Sequence, residues 1–149
     1  MAGYSGTPLP QKLGIRPGAR VGLSKAPSGF TVTLGALPEG AVLDDAETRS
    51  GGTFDVMVAF VVTAAELPAL FARLGRRLDP AGGLWIGWPK KKAKRDTSAV
   101  LTDVTENVVR EVGLAAGLVD NKVCAIDDTW SGLRFVVRLA DRPAGRGRR

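Results

Sequence analysis

Apolar residues fall along this chain in two periods, and the change from one to the other marks out its elements. Phe54 to Val62 is an almost unbroken run rich in valine, the pattern of a central strand covered on both faces, as strands of parallel sheets are. Thr63-Ala64-Ala65-Glu66 has capping-box spacing. Leu67, Leu70, Phe71, Leu74 and Leu78 then recur at helical spacing, which predicts an amphipathic helix with Pro68 confined to its first turn. Asp79-Pro80-Ala81-Gly82-Gly83 ends that helix and turns the chain into a short strand, Leu84 to Trp88.

The flanks are read by the same rules. Arg20 to Ser24 follows the turn Pro17-Gly18 as a first strand, and Pro27 closes it. Ser28 can cap a short helix carrying Phe30, Leu34 and Leu37, although Thr31-Val32-Thr33 equally suits a strand. Ala41 to Asp44 is expected as a second strand ending in the acids Asp44 and Asp45. Asp103, with Glu106 three residues on, starts another helix whose Val104, Val108, Val112 and Ala115 share a face and which Gly117 terminates. Val119 to Ile126 is a strand containing Cys124. The turn-rich Asp127 to Gly132 leads to an alternating strand, Leu133 to Leu139, that pairs back antiparallel.

Strands separated by helices imply a mostly parallel sheet with right-handed crossovers, and the closing pair gives an antiparallel C-terminal edge strand. The expected fold class is therefore α/β, a small Rossmann-like three-layer sandwich. The organisation expected is an N-terminal arm over residues 1–12, a single domain over 13–140 and a disordered basic tail over 141–149. Leu13 and Ile15 anchor the arm.

Composition narrows the chemistry. The chain has 149 residues, 44% hydrophobic and 24% charged, a globular balance that suits one domain. It contains no histidine and a single cysteine, which excludes Ser-His and Cys-His nucleophiles, the usual zinc ligand sets and an internal disulfide. Cys124, mid-strand, reads as a buried, inert thiol. The start of the chain is neither cationic nor apolar enough for an export signal, so a cytoplasmic location is expected. The net charge of +6 is local. Of 21 basic residues, five lie between Lys90 and Arg95 and four in the tail, leaving 12 against 15 acidic in a body of about −3.

Two resemblances are carried by short strings. Phe54-Asp55-Val56-Met57-Val58-Ala59-Phe60, then Leu78-Asp79-Pro80-Ala81-Gly82-Gly83-Leu84-Trp85-Ile86 and Ala115-Ala116-Gly117-Leu118, resemble the C-terminal half of methyltransferase-type Rossmann enzymes, which implies a truncated methyltransferase fold. The opening Met1-Ala2-Gly3-Tyr4-Ser5-Gly6-Thr7-Pro8-Leu9, with Trp88-Pro89-Lys90-Lys91, the helix Thr105 to Leu114 and Thr129-Trp130-Ser131-Gly132-Leu133, resembles an uncharacterised bacterial family known as a domain of unknown function. That resemblance departs at Lys92-Ala93-Lys94-Arg95 and in the Arg-rich tail, and it implies no activity.

Three functions follow as expectations. The first is a non-catalytic Rossmann-like interaction domain, with no cofactor and an unknown protein or small molecule as its partner, and no membrane. Its candidate site lies at the carboxyl edge of the sheet, where ligands of such sheets bind. Lys25, Trp88, Lys90, Asp127, Asp128, Trp130 and Ser131 line it, with Trp88 and Trp130 together at its mouth; Trp85 belongs to the core. The second is nucleic-acid or anionic-partner binding through Lys90, Lys91, Lys92, Lys94, Arg95 and the tail. The third is an S-adenosylmethionine-dependent methyltransferase. For this, Asp44 or Asp45 is the acid that ends the second strand, but the turn after the first, Leu23 to Gly29, lacks the expected run of glycines and Pro27 has no N–H. The second expectation is checked by salt. If five loop cations each contact a duplex phosphate, log affinity falls with log salt at a slope of about −4.5, and a flat dependence removes it.

Overall fold

The computed structural model describes residues 6–48, 51–91 and 100–143. Its strands are β1 (Arg20–Ser24), β2 (Val42–Asp45), β3 (Phe54–Phe60), β4 (Leu78–Pro89), β5 (Leu118–Ala125) and β6 (Trp130–Val137). The helices are α1 (Leu9–Lys12), α2 (Phe30–Leu34), α3 (Leu67–Gly75) and α4 (Glu106–Ala115). The strands form one sheet in the order β2-β1-β3-β4-β6-β5. β2, β1, β3 and β4 are parallel neighbours, while β6 runs antiparallel between β4 and β5. The antiparallel character thus enters as a β5–β6 hairpin at the C-terminal side of the sheet.

β3 is central because both of its faces are apolar. Met57 and Ala59 point into a core with Leu67, Leu70, Phe71 and Leu74 of α3 and Val109 of α4. Val56, Val58 and Phe60 point into a second core with Leu9, Leu13, Ile15, Phe30 and Leu34. The sheet is the middle of three layers. Each of the four buried α3 side chains contributes roughly 1.5 to 3 kcal/mol before ordering entropy is subtracted.

The second core depends on the N-terminal segment. Leu13 and Trp85 are both fully buried, and the Trp85 indole N–H donates to the Leu13 carbonyl at 3.0 Å. Leu9, at 8% exposure, starts the one-turn α1. From Leu9 onward the stretch expected as a surface arm is therefore packed structure.

Several expected boundaries move. α2 forms, so the threonine-rich stretch is helical, entered through Gly29 at φ 83° and closed by Gly35 at φ 80°. α3 ends at Gly75, and Leu78 opens β4 rather than closing the helix. Asp79 to Gly82 lie within a β4 irregularity: Phe54 pairs with Leu78 and Val56 with Gly83, so two steps along β3 match five along β4.

The capping changes partners as well. Thr63 makes no side-chain cap; the Ala64 N–H instead donates to Asp103 Oδ1 at 2.8 Å. Asp103 was expected to start α4. That role falls to Thr105, which accepts from the Val108 N–H at 3.2 Å. The inward face of α4 is centred on Val109 and Gly113, flanked by Val108 and Val112, while Ala115 is exposed. A Cβ at Gly113 would collide with the Phe135 ring, so the helix lies against β6 at glycine distance. Arg110 ties α4 to β5 through Asp120 at 3.0 Å and also binds Glu106 at 2.6 Å.

Among the described residues no helix is long and apolar enough to cross a membrane. Trp85→Phe removes one hydrogen bond and leaves the buried Leu13 carbonyl without it, so a loss of about 2 to 4 kcal/mol is expected in the urea unfolding free energy. A loss below about 1 kcal/mol would show that the N-terminal segment is not anchored there.

Candidate functional site

The order of the parallel strands locates the site. From β1 the chain moves to β2 on one side, and from β3 it moves to β4 on the other. Adjacent strands whose connections leave in opposite directions open a crevice beyond their carboxyl ends. Here that crevice lies past Ser24 of β1 and Phe60 of β3.

Its walls are charged. Lys25, directly after β1, has φ 56° and is the single non-glycine residue with positive φ among the described ones. A side chain in this region of backbone space costs energy, so the turn is held by its surroundings. The Lys25 ammonium pairs with Glu66 Oε1 at 2.7 Å across the crevice. Ser24, the buried polar residue of the sheet at 1% exposure, donates to Glu47 Oε2 at 2.8 Å. Glu47, just past β2, also takes both arms of Arg73 from α3, at 3.0 and 2.9 Å. The two ion pairs thus join the ends of β1 and β2 to the start and middle of α3.

The Arg73 bond holds the Glu47 carboxyl below its ordinary value; partial burial opposes this, and the Ser24 hydroxyl adds to the lowering. Asp45 closes β2 with an exposed carboxylate, one oxygen of which accepts the Glu47 N–H at 2.8 Å.

The expected site residues share the carboxyl edge but not one pocket. Trp88 is 6% exposed and packs in the core beneath α3 and α4. Trp130 lies on the opposite face, edge-on to Phe60 at a centroid distance of 5.0 Å. The two tryptophans do not meet at one mouth, because Trp130 pairs with Pro89 and Ser131 with Trp88, and neighbouring residues of a strand face opposite ways. Asp127 Oδ1 accepts the N–H groups of Thr129 and Trp130 at 2.8 and 2.9 Å, so this acid shapes the β5–β6 turn. Asp128 is exposed in the same turn. The Lys90 N–H donates to the Thr129 carbonyl at 2.7 Å. Trp88, Lys90 and Lys91 line a cleft of about 510 Å3 with Thr102, Thr105 and Glu106 before and at the start of α4. Lys25 is separated from this group by the end of β3. Lys92, Lys94 and Arg95 lie outside the described residues, as do residues 144–149 of the tail.

Glu47, Glu66 and Arg73 were absent from the expected site. The only sequence signal was Glu66 in its capping-box position; the partners come from elements far apart in the chain. Cys124 is half-buried, and burial pushes its thiol up, away from the reactive thiolate. Among the described residues no group of three or more His, Cys, Asp and Glu could hold a metal ion.

No protein-family model matches this chain, and no curated protein matches it in sequence. Solved structures do match in three dimensions. A SAM-dependent methyltransferase from Aquifex aeolicus is 17% identical, with 86% of this chain and 87% of that one covered at a TM-score of 0.63. The fold is methyltransferase-like Rossmann. The ribosomal protein L11 methylase of Lactobacillus delbrueckii subsp. bulgaricus is 14% identical over 87% of this chain and 75% of that one, TM-score 0.57. The 1,6-didemethyltoxoflavin-N1-methyltransferase of Burkholderia thailandensis, solved with bound 1,6-didemethyltoxoflavin and S-adenosylhomocysteine, is 15% identical over 85% of this chain and 73% of that one, TM-score 0.56. Against the expectation of a non-catalytic interaction domain, these three structures, which share its frame over most of their length, are all methyltransferases.

The Glu47 bond predicts an acid limb of stability. A carboxyl whose pKa is lower in the folded than in the unfolded chain contributes stability above the unfolded value, here 4.5, and loses it as pH falls through the folded value. Urea midpoints of the wild type should therefore drop below about pH 4.5, and Glu47→Gln should make that limb shallower. Parallel limbs in the two proteins would mean that the Arg73 pair contributes nothing.

Proposed function

We propose that this chain is an S-adenosylmethionine-dependent methyltransferase that holds its methyl donor over the carboxyl ends of β1 and β3. The observation that carries this reading is the reversal of strand order between β1 and β3, with a left-handed Lys25 immediately after β1. At that position the chain needs a backbone conformation for which glycine is the usual choice. Lysine adopts it here, so the turn is formed without a glycine directly after β1.

The residues at the crevice suit the donor's chemistry. Asp45, at the end of β2, presents an exposed carboxylate oxygen for vicinal ribose hydroxyls. Lys25 and Glu66 form an opposite-charge pair, the complement of an amino-acid end that carries a carboxylate and an ammonium. Lys25 would take the carboxylate and Glu66 the ammonium, each exchanging its present partner for the ligand. Val62, 37% exposed after β3, supplies apolar surface beside them.

When bound, the donor supplies a methyl group activated by its sulfonium. The chain's part is to hold and orient, since bringing two reactants together in line removes much of the barrier. With no histidine in the sequence, no imidazole accepts a proton from the acceptor, which favours acceptors whose attacking lone pair is already free or is released to a carboxylate.

Titration calorimetry with S-adenosylmethionine and S-adenosylhomocysteine tests this. Saturable heat is expected for the wild type, with affinity about tenfold weaker in Asp45→Ala, the cost of hydrogen bonds to a charged group. No heat at millimolar ligand removes the proposal.

A further inference from the structure

The edge of the sheet opposite the crevice carries a second cleft, of about 430 Å3, between the turn before β1, the start of β3 and the β4 irregularity. Arg16, Gly18, Asp55, Gly82 and Arg134 are among its lining residues. Arg134 comes from the middle of β6, and its guanidinium lies across Gly83, where any Cβ would collide with it. It is half-buried, yet among the described residues it has no carboxylate partner; its side chain donates to Asn121 Oδ1 at 3.3 Å. Burial and the nearby positive charge of Arg142 both push the Arg134 guanidinium below its ordinary value. Arg16, exposed on the other wall, likewise makes no side-chain hydrogen bond or ion pair among the described residues. The one carboxylate in the lining, Asp55, accepts the Arg20 backbone N–H at 2.8 Å.

A half-buried guanidinium without a counter-charge is costly unless something supplies one. Two arginines facing one cleft form a fork-shaped donor set that matches the planar oxygens of a carboxylate or the tetrahedral oxygens of a phosphate. We propose that this amino-edge cleft binds the oxyanion group of a small ligand, with Arg134 as the half-buried donor and Arg16 as the second, the missing side chain of Gly83 leaving the space in which the Arg134 guanidinium lies. The site is independent of the methyl-donor crevice, which lies at the other ends of the same strands.

The test is thermal shift and amide NMR on the full chain, titrated with inorganic phosphate and separately with succinate, each against sodium chloride at equal ionic strength. At an anion concentration ten times Kd the midpoint should rise by about 3 to 6 °C, with shifts concentrated at the Gly18 and Gly82 amides. The stronger of the two responses identifies the oxyanion class. Arg16→Ala should weaken the response at least fivefold, and Arg134→Gln should abolish it. Should Arg134→Gln fail to fold by circular dichroism, Arg16→Ala alone decides. Equal responses to chloride, shifts spread over the whole surface, or an unchanged response in Arg16→Ala would overturn the proposal.

Discussion

Everything in this molecule depends on a strand that needs cover on both faces. β3 buries Met57 and Ala59 on one side and Val56, Val58 and Phe60 on the other, and leaving either row in water would forfeit roughly 25 cal/mol for each Å2 of apolar surface. α3 and α4 supply one cover. The other is assembled from short pieces, α1, α2 and the segment through Leu13 and Ile15, which is why a hydrogen bond from Trp85 to the Leu13 carbonyl matters so far from any site. The same constraint fixes the chemistry. Helices on both faces leave only the strand ends open, and the reversal of order between β1 and β3 decides which ends gape.

At that opening the protein places charge in pairs. Lys25 faces Glu66, and Glu47 is held between Ser24 and Arg73. An exposed ion pair contributes little to stability, about 0 to 1 kcal/mol, because water screens it and both side chains must be ordered. Such pairs are therefore inexpensive to rearrange, which suits a crevice that must exchange internal partners for a ligand. The strained Lys25 backbone fits the same logic, since strain persists where the surrounding structure holds it. The amino edge differs: Arg134 is half-buried and pairs with no carboxylate among the described residues.

The strands and the long helices were legible because each rests on local periodicity. The valine run of β3 and the leucine spacing of α3 repeat within a few residues, and Pro68 takes a first-turn position in the helix. The turn after β1 was read by residue type alone, and type does not fix conformation: Lys25 adopts the left-handed region without being glycine. Capping departs from the local pattern for a related reason. Asp103 has the spacing of a local helix start but serves the Ala64 N–H, 39 residues away in the chain. Tryptophan placement failed through parity. Trp88 lies at the end of β4 and Trp130 opens β6, but the antiparallel register of β4 against β6 sets them on opposite faces.

What the sequence determined by itself is therefore the α/β class, the order of its main elements and the limits on its chemistry, since hydrophobic period and the absence of histidine are properties of neighbouring residues and of composition. What only the tertiary structure decided is which charges meet. The Ser24–Glu47–Arg73 and Lys25–Glu66 contacts join residues 23 to 41 positions apart, and the amino-edge cleft joins Arg16 to Arg134. Such meetings follow from strand order and register, which are set by how both faces of β3 are covered, and no local pattern in the chain encodes them.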